Sequence, residues 1–316
     1  MDRDFDVIGK YKAIGSKLKR RFLRKPNVAE ASQQFEYLSK TLQQQECLQY
    51  AGFCCLAKAR CENTLANPTG EVEALTQAAR LFLHAEQESI LLKCPMFEEH
   101  LTEAIHCFNQ AIKLHCVQSN LNLAACLCLE LGNSLSEMKR YSEAVGYFQQ
   151  ASELQHKTPL IALNSMGLAV KCKLNMGDYD GALALLTEMV YLIHERGRNL
   201  PSDSALGSDE VHAGYVDILA ECDVTIVLIL LLLQPTPQKI RPEHAQMLEK
   251  YAWESNGTSS SVDYLSEDLF LLLQSVVMSC QAKDGTALQE LEKDLWPFLN
   301  GIQKELLYKL VVQMTS

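Results

Sequence analysis

Residues 126–154 constrain the fold more than any other stretch, because two amphipathic helical patterns follow one another there with only a short polar segment between them. In the first pattern Leu127, Leu131 and Leu135 recur every four residues and form one apolar face. The apolar residues of the second pattern are Tyr141, Ala144, Val145, Phe148, Ala151 and Leu154. Together the two patterns predict an antiparallel helical hairpin. One hairpin cannot bury both of its faces, so we expect other hairpins to stack against it.

The small and aromatic residues of this hairpin follow the pattern of a tetratricopeptide repeat. Small residues, such as Gly132 and Ala144, let two helices approach closely, and an aromatic residue, Phe148, fills the groove between them. Parts of the pattern recur at Ala104, Phe108 and Ala111 and, in a weaker form, at Met176, Tyr179 and Ala182. We therefore predict an all-α, tetratricopeptide-like helical-hairpin solenoid. An unrelated helical bundle with a chance similarity is the alternative.

The chain of 316 residues is predicted to contain two helical regions. Residues 1–195 hold the repeat-like hairpins, preceded by a basic first helix. Residues 196–209 are rich in turn formers and predict a flexible linker loop. Residues 210–316 predict a C-terminal helical region that packs onto the same solenoid. Its apolar run at residues 224–233 is about half as long as the roughly 20 residues that cross a bilayer, so we predict a helix buried on all sides and no transmembrane segment.

Composition and motifs argue against several classes of function. A net charge of −10 disfavours general nucleic-acid binding. The twelve cysteines include no C-x-x-C pair and lie mostly in helical patterns, which indicates reduced, buried thiols in a cytosolic or nuclear protein more than a disulfide or zinc framework. No phosphate-binding glycine loop, zinc-protease motif or nucleophile elbow occurs. We therefore expect a protein that is not an enzyme, with no catalytic residue, cofactor or metal.

A basic block at residues 10–25 stands out on this acidic chain. Ile14, Leu18 and Phe22 recur through it at helical spacing, which predicts an amphipathic helix with one cationic face. A solvated face, a nuclear-import signal and an anionic membrane surface are alternatives to docking on an acidic protein. For docking on a protein, the candidate partner-binding residues are Lys17, Arg20, Arg21 and Arg24.

A second candidate surface lies in the C-terminal half. Phe270, Trp296 and Phe298 are large aromatic residues on predicted helices without a repeat partner. Large aromatic side chains frequently anchor protein interfaces. The alternative is that they are ordinary core residues.

Several long strings in the chain resemble the family of the 40-kDa huntingtin-associated proteins. They are KLKRRFLRKPNVAEA at residues 17–31, AARLFL at 78–83, LILLLLQP at 228–235 and EDLFLLLQS at 267–275. The resemblance extends over nearly the whole chain. Members of that family carry a long Ala/Gly-rich N-terminal tail and a large Pro-rich central insertion, which are reduced here to about ten residues and to residues 196–209. Roles of those two extensions are therefore not transferred to this chain.

The resemblance implies a tetratricopeptide-like protein that binds huntingtin one-to-one between its HEAT-repeat halves and stabilises the closed form. It also implies an adaptor that links huntingtin to an early-endosomal Rab GTPase and to endosome motility. The expected location is cytoplasmic, with nuclear and early-endosome-associated pools. A transient trafficking adaptor and a nuclear scaffold directed by the basic helix are the alternative functions.

Overall fold

The computed structural model describes residues 6–19, 26–94, 97–198, 208–236, 240–251 and 264–315. Within these ranges the secondary structure is helical and contains no strand, as the hydrophobic spacing predicted. The chain divides into two compact units, Met1–Gln155 and His156–Ser316. The predicted division at residues 196–209 stays a prediction, because most of that interval lies outside the described ranges.

The first unit is a consecutive stack of helices. Its helices are α1 (Val7–Lys17), α2 (Val28–Gln44), α3 (Leu48–Thr64), α4 (Pro68–Leu91), α5 (Glu99–Val117), α6 (Leu121–Glu137) and α7 (Tyr141–Leu154). Each helix packs on the next one along the chain. This nearest-neighbour packing is that of a helical solenoid, so the predicted fold class is confirmed.

The repeat pattern identified in the sequence lies in the core of this stack. Phe108 of α5 and Phe148 of α7 are almost completely buried. The alanines on either side of each ring, Ala104, Ala111, Ala144 and Ala151, have no exposed surface. Side chains this small let neighbouring helices approach the ring closely, which is the packing that the pattern predicted.

One turn geometry joins many of the helices. Apart from Gln234 after α10, which precedes Pro235 and therefore has no following N–H, a residue at or just after the helix C-cap has a left-handed backbone conformation seven times in the described ranges. In each case the next residue donates its N–H to the carbonyl five positions earlier, as Arg140 does to Leu135 at 2.8 Å. The left-handed residues are Glu46, Ala66, Lys93, Ser119, Lys139, Gly177 and Lys283. The turn supplies a partner for a carbonyl that the helix end leaves unpaired.

Helix α1 differs from its predicted extent. It begins at Val7, where the Asp6 side chain accepts from the Gly9 N–H at 2.7 Å, and it ends at Lys17. The N–H groups of Leu18 and Lys19 bond three residues back, to Gly15 and Ser16, so the backbone tightens into a turn. Helix α1 therefore begins before Lys10, where the prediction began, and ends at Lys17, and the part of the prediction at residues 20–25 lies outside the described ranges.

The second unit is organised around its longest helix, α10. Its helices are α8 (Pro159–Met176), α9 (Tyr179–Arg198), α10 (Ser208–Leu233), α11 (Pro242–Lys250), α12 (Glu267–Ala282), α13 (Gly285–Leu295) and α14 (Gly301–Thr315), with a 3-10 helix at Trp296–Phe298. Helices α8, α9, α11, α12 and α14 all pack on α10. The residues of α10 from Cys222 to Leu231 are buried without interruption, which confirms the predicted burial over residues 224–231, whereas Leu233 at the helix end is 36% exposed. Across the described ranges, none of the helices combines the length and apolarity needed to span a membrane.

Candidate partner-binding surfaces

The basic helix α1 lies antiparallel to α2 and is attached to it by Lys17. The ammonium group of Lys17 donates to Gln34 Oε1 at 2.9 Å and to Glu30 Oε1 at 3.4 Å. Gln34 and Asn27 also donate to the Glu30 carboxylate. Much of the Lys17 charge is thus balanced within the chain, although the side chain remains half exposed. Arg20, Arg21 and Arg24 lie outside the described residues, and their role in binding stays a prediction.

The apolar face of α1 is already in contact with α2. The ring of Tyr11 lies 5.2 Å from that of Phe35, measured between centroids, and Ile14 is buried. Lys10, Lys12 and Lys19 are exposed. In this unit α1 therefore presents lysines and Ile8 to the surface, while Tyr11 and Ile14 hold it on α2.

The three aromatic residues predicted in the C-terminal half have different surroundings. Phe270 of α12 is half-buried, and its ring centroid lies 5.2 Å from that of the fully buried Tyr251. Trp296 and Phe298 in the 3-10 helix remain 43% and 45% exposed. The Lys304 ammonium group lies 5.3 Å from the Trp296 ring centroid, in a cation–π contact. Trp296 and Phe298 thus leave aromatic surface exposed, whereas Phe270 packs against the unit itself, and the binding role of all three stays a prediction.

A further apolar surface occurs where α4 ends, and the sequence interpretation did not include it. Ile90, Leu91, Leu92 and Phe97 are exposed, with Leu91 at 81% and Phe97 at 86%. Three consecutive apolar residues cannot all face one side of a helix, so the string at residues 90–92 already carried a signal of apolar exposure. Clustered apolar exposure of this kind is typical of interaction surfaces.

The buried thiols lie in surroundings that suppress their ionisation. Burial raises the pKa of Cys54, Cys107, Cys128 and Cys222 to about 12. A thiol with so high a pKa is almost entirely protonated at neutral pH and is a poor nucleophile and metal ligand. Throughout the described part of the chain, no group of three or more His, Cys, Asp or Glu side chains could hold a metal ion. The buried thiols therefore act as packing groups.

Among the residues of the second unit whose side chains the structure describes, Asp223 of α10 is the one buried acid. It accepts a hydrogen bond from the Tyr264 hydroxyl, while burial raises its pKa above the ordinary value for an aspartate. The hydroxyl of the neighbouring Tyr251 is buried without a hydrogen-bond partner. The hydrogen bond to Asp223 thus fastens residue 264 to α10.

Two curated relatives show what the chain is similar to. No protein-family model matches the chain. The 40-kDa huntingtin-associated proteins of Rattus norvegicus and Mus musculus are each 41% identical to it over 355 aligned residues, which cover 98% of this chain and 93% of the relative. Because that alignment is longer than this chain of 316 residues, it includes positions at which the relatives carry additional residues. The chain belongs to the family of the 40-kDa huntingtin-associated proteins.

Proposed function

We propose that this protein is a non-enzymatic subunit that binds huntingtin. The observation that carries the proposal is the relationship with the rat and mouse proteins, which are huntingtin-associated by name and align with 98% of this chain. The alignment takes in both helical units of this chain, so the relationship is not confined to one of them.

The exposed apolar side chains support a protein-binding role. Stable association requires apolar surface that a partner can bury, with large side chains near its centre. In the first unit such groups lie at Leu91 and Phe97, and in the second unit at Trp296 and Phe298. Each unit places them on or beside helices packed against a buried core, so a partner would meet surfaces that are ordered in advance.

The finer parts of the proposal follow the family resemblance. The protein would sit one-to-one between the HEAT-repeat halves of huntingtin and stabilise the closed form. It would also link huntingtin to an early-endosomal Rab GTPase. Its location would be cytoplasmic, with nuclear and endosome-associated pools. The non-enzymatic part is supported by the high pKa values of the buried thiols, which disfavour their use as nucleophiles.

Co-expression with and without huntingtin tests the principal proposal. Exposed apolar surface should make the isolated protein prone to aggregation, so huntingtin should raise the soluble yield and co-purify at equal stoichiometry in high salt. A truncated huntingtin that lacks one HEAT-repeat half is the control, because a protein held between both halves should then be retained less. Equal yields with and without huntingtin, and no co-purification, would contradict the proposal.

The adaptor role has a separate test. Binding of the purified complex to an early-endosomal Rab GTPase should depend on the bound nucleotide, since GTPase switch segments differ between the GTP and GDP states. If the GTPase retains the complex equally with both nucleotides, the adaptor role is excluded, and the proposal of huntingtin binding is unaffected.

A further inference from the structure

A groove with a volume of about 530 Å³ runs between α1 and α2. Each helix contributes residues at helical spacing, among them Lys10, Ala13 and Ile14 from α1 and Tyr37, Leu38 and Thr41 from α2. Ile14 and Leu38 are buried and form the apolar floor, whereas Tyr37 is 75% exposed and forms a wall. The groove thus offers apolar and aromatic surface that this unit itself leaves uncovered.

The groove lies on a locally basic part of an acidic protein. Residues 6–19 contain four lysines and one aspartate, and residues 28–44 on the other side of the groove contain one lysine and two glutamates, whereas the whole chain has a net charge of −10. At one end of the groove, Lys17 is paired with Glu30. Because α1 and α2 are antiparallel, Lys10 lies toward the other end, near Tyr37 and Thr41. A ligand in the groove would therefore meet an aromatic wall beside a lysine.

We propose that the groove between α1 and α2 is a docking site for an acidic amphipathic helix of the partner protein, a proposal that rests on the proposed function. A third helix fits a groove between two helices by placing its ridge of side chains there. The apolar face of such a helix would contact Ile14, Tyr37 and Leu38, and its carboxylates would face the lysines of α1. Charge complementarity of this kind orients partners and accelerates their association.

The packing of α1 favours a protein helix over a membrane surface. A membrane-bound amphipathic helix inserts its apolar face among the lipids. In α1 that face is occupied, since Tyr11 contacts Phe35 and Ile14 is buried against α2. Insertion would have to separate the two helices, whereas a partner helix can use the groove as it stands.

The test uses the full chain and a fluorescent synthetic helical peptide with leucine along one face and glutamate along the other. A matched peptide carries lysine in place of each glutamate. Fluorescence anisotropy should show binding of the glutamate peptide only, and that binding should weaken as salt is added because exposed charges are screened. Equal binding of both peptides would overturn the proposal.

Two pairs of variants localise the binding. Tyr37→Ala should weaken peptide binding by about tenfold, as loss of an interface aromatic does. Tyr191→Ala is its control, because Tyr191 is a similarly exposed tyrosine on α9, outside the groove. Lys10→Gln should weaken binding more than Lys12→Gln, since both remove one charge from α1 but only Lys10 lines the groove. Equal effects within each pair would overturn the proposal.

A parallel huntingtin pull-down separates this proposal from the proposed function. Peptide binding that depends on Tyr37, without retention of huntingtin, would support the groove proposal and contradict the proposed huntingtin-binding function. Retention of huntingtin with no peptide binding would overturn the groove proposal alone. If the protein co-sediments with phosphatidylserine vesicles in a manner that depends on Lys10 and binds no peptide, the face that contains the groove binds a membrane. That result would also overturn the groove proposal.

Discussion

Gly132 of α6 lies against the ring of Phe148 of α7, so closely that a Cβ atom added to Gly132 would be 2.8 Å from Cε1 of the ring. The same relationship joins Gly52 of α3 to Phe82 of α4, where the corresponding distance is 2.9 Å. Both rings are almost completely buried. The absence of a side chain at the two glycines therefore sets how closely these helices approach.

Replacing Gly132 with alanine should destabilise the protein. Alanine favours a helix over glycine by about 1 kcal/mol, but the added methyl group must displace the buried Phe148 ring, and overpacking of a core costs about 1–3 kcal/mol. The free energy of unfolding, measured by urea denaturation, should therefore not rise, and a loss of about 1 kcal/mol is expected.

Gly146→Ala is the matched control on the adjacent helix α7. A Cβ atom at Gly146 would meet nothing within 4 Å, so this variant should be stabilised by as much as about 1 kcal/mol. If the two variants were equally stable, the close approach of Gly132 to Phe148 would have no energetic consequence.

The hairpin of α6 and α7 was predictable because the residues in its contact follow a known repeat spacing. The Gly52–Phe82 contact was not, because α4 is a longer helix and presents its aromatic residue at a different spacing from the glycine. The recurrent turn was also hidden, since only Gly177 among its seven left-handed residues is a glycine. A lysine or glutamate in that conformation carries no recognisable sequence signal.

The candidate surfaces were predicted only in part. The basic segment was evident from its charges, but the position of Lys10 in the groove lining follows from the packing of α1 on α2. In the sequence, Phe270 and Trp296 are both large aromatic residues in predicted helices. Only the position of Tyr251 beside Phe270 shows that Phe270 packs within the unit. Local spacing predicts which face of a helix is apolar, whereas the partner of that face depends on contacts distant in the sequence.

Lys139→Gly should stabilise the turn between α6 and α7. Lys139 has a φ of 61°, a left-handed conformation that costs a residue with a Cβ atom about 1 kcal/mol or more. Glycine removes that strain but is more flexible in the unfolded chain, so the net gain should be about 0.5 kcal/mol. Thermal and urea unfolding measure it. Lys139→Ala retains the Cβ atom and removes the same charge, and a gain as large as that of glycine would refute the strain argument.

Asp223→Asn should change how stability depends on pH. Because burial raises the pKa of Asp223, the folded state holds this proton more tightly than the unfolded state does. The resulting stabilisation is complete below the unfolded pKa of about 3.9 and is lost as the pH rises through the higher folded value. Asparagine does not ionise, and its side-chain oxygen can still accept from Tyr264.

Urea denaturation over a pH series measures this effect as the difference between the variant and the wild type. The stability of Asp223→Asn relative to the wild type should increase as the pH rises from about 4 toward neutrality. Asp217→Asn changes an exposed aspartate on the same helix and should show no comparable trend. If the stability difference between the variant and the wild type were constant with pH, the pKa of Asp223 would be the same in the folded and unfolded states.

Alanine substitutions of the aromatic residues in the second unit should affect huntingtin binding and stability differently. Trp296 and Phe298 are nearly half exposed, so their replacement by alanine should change the free energy of unfolding by less than about 1 kcal/mol. If they contact huntingtin, the same variants should weaken its binding by about tenfold or more. Phe270→Ala should instead lower stability by about 1–3 kcal/mol, because its ring packs on Tyr251.

Unfolding and huntingtin binding must be measured on each variant, since a binding defect in an unstable protein does not identify a contact. Wild-type affinity in the stable double variant Trp296→Ala/Phe298→Ala would remove this surface from the interface.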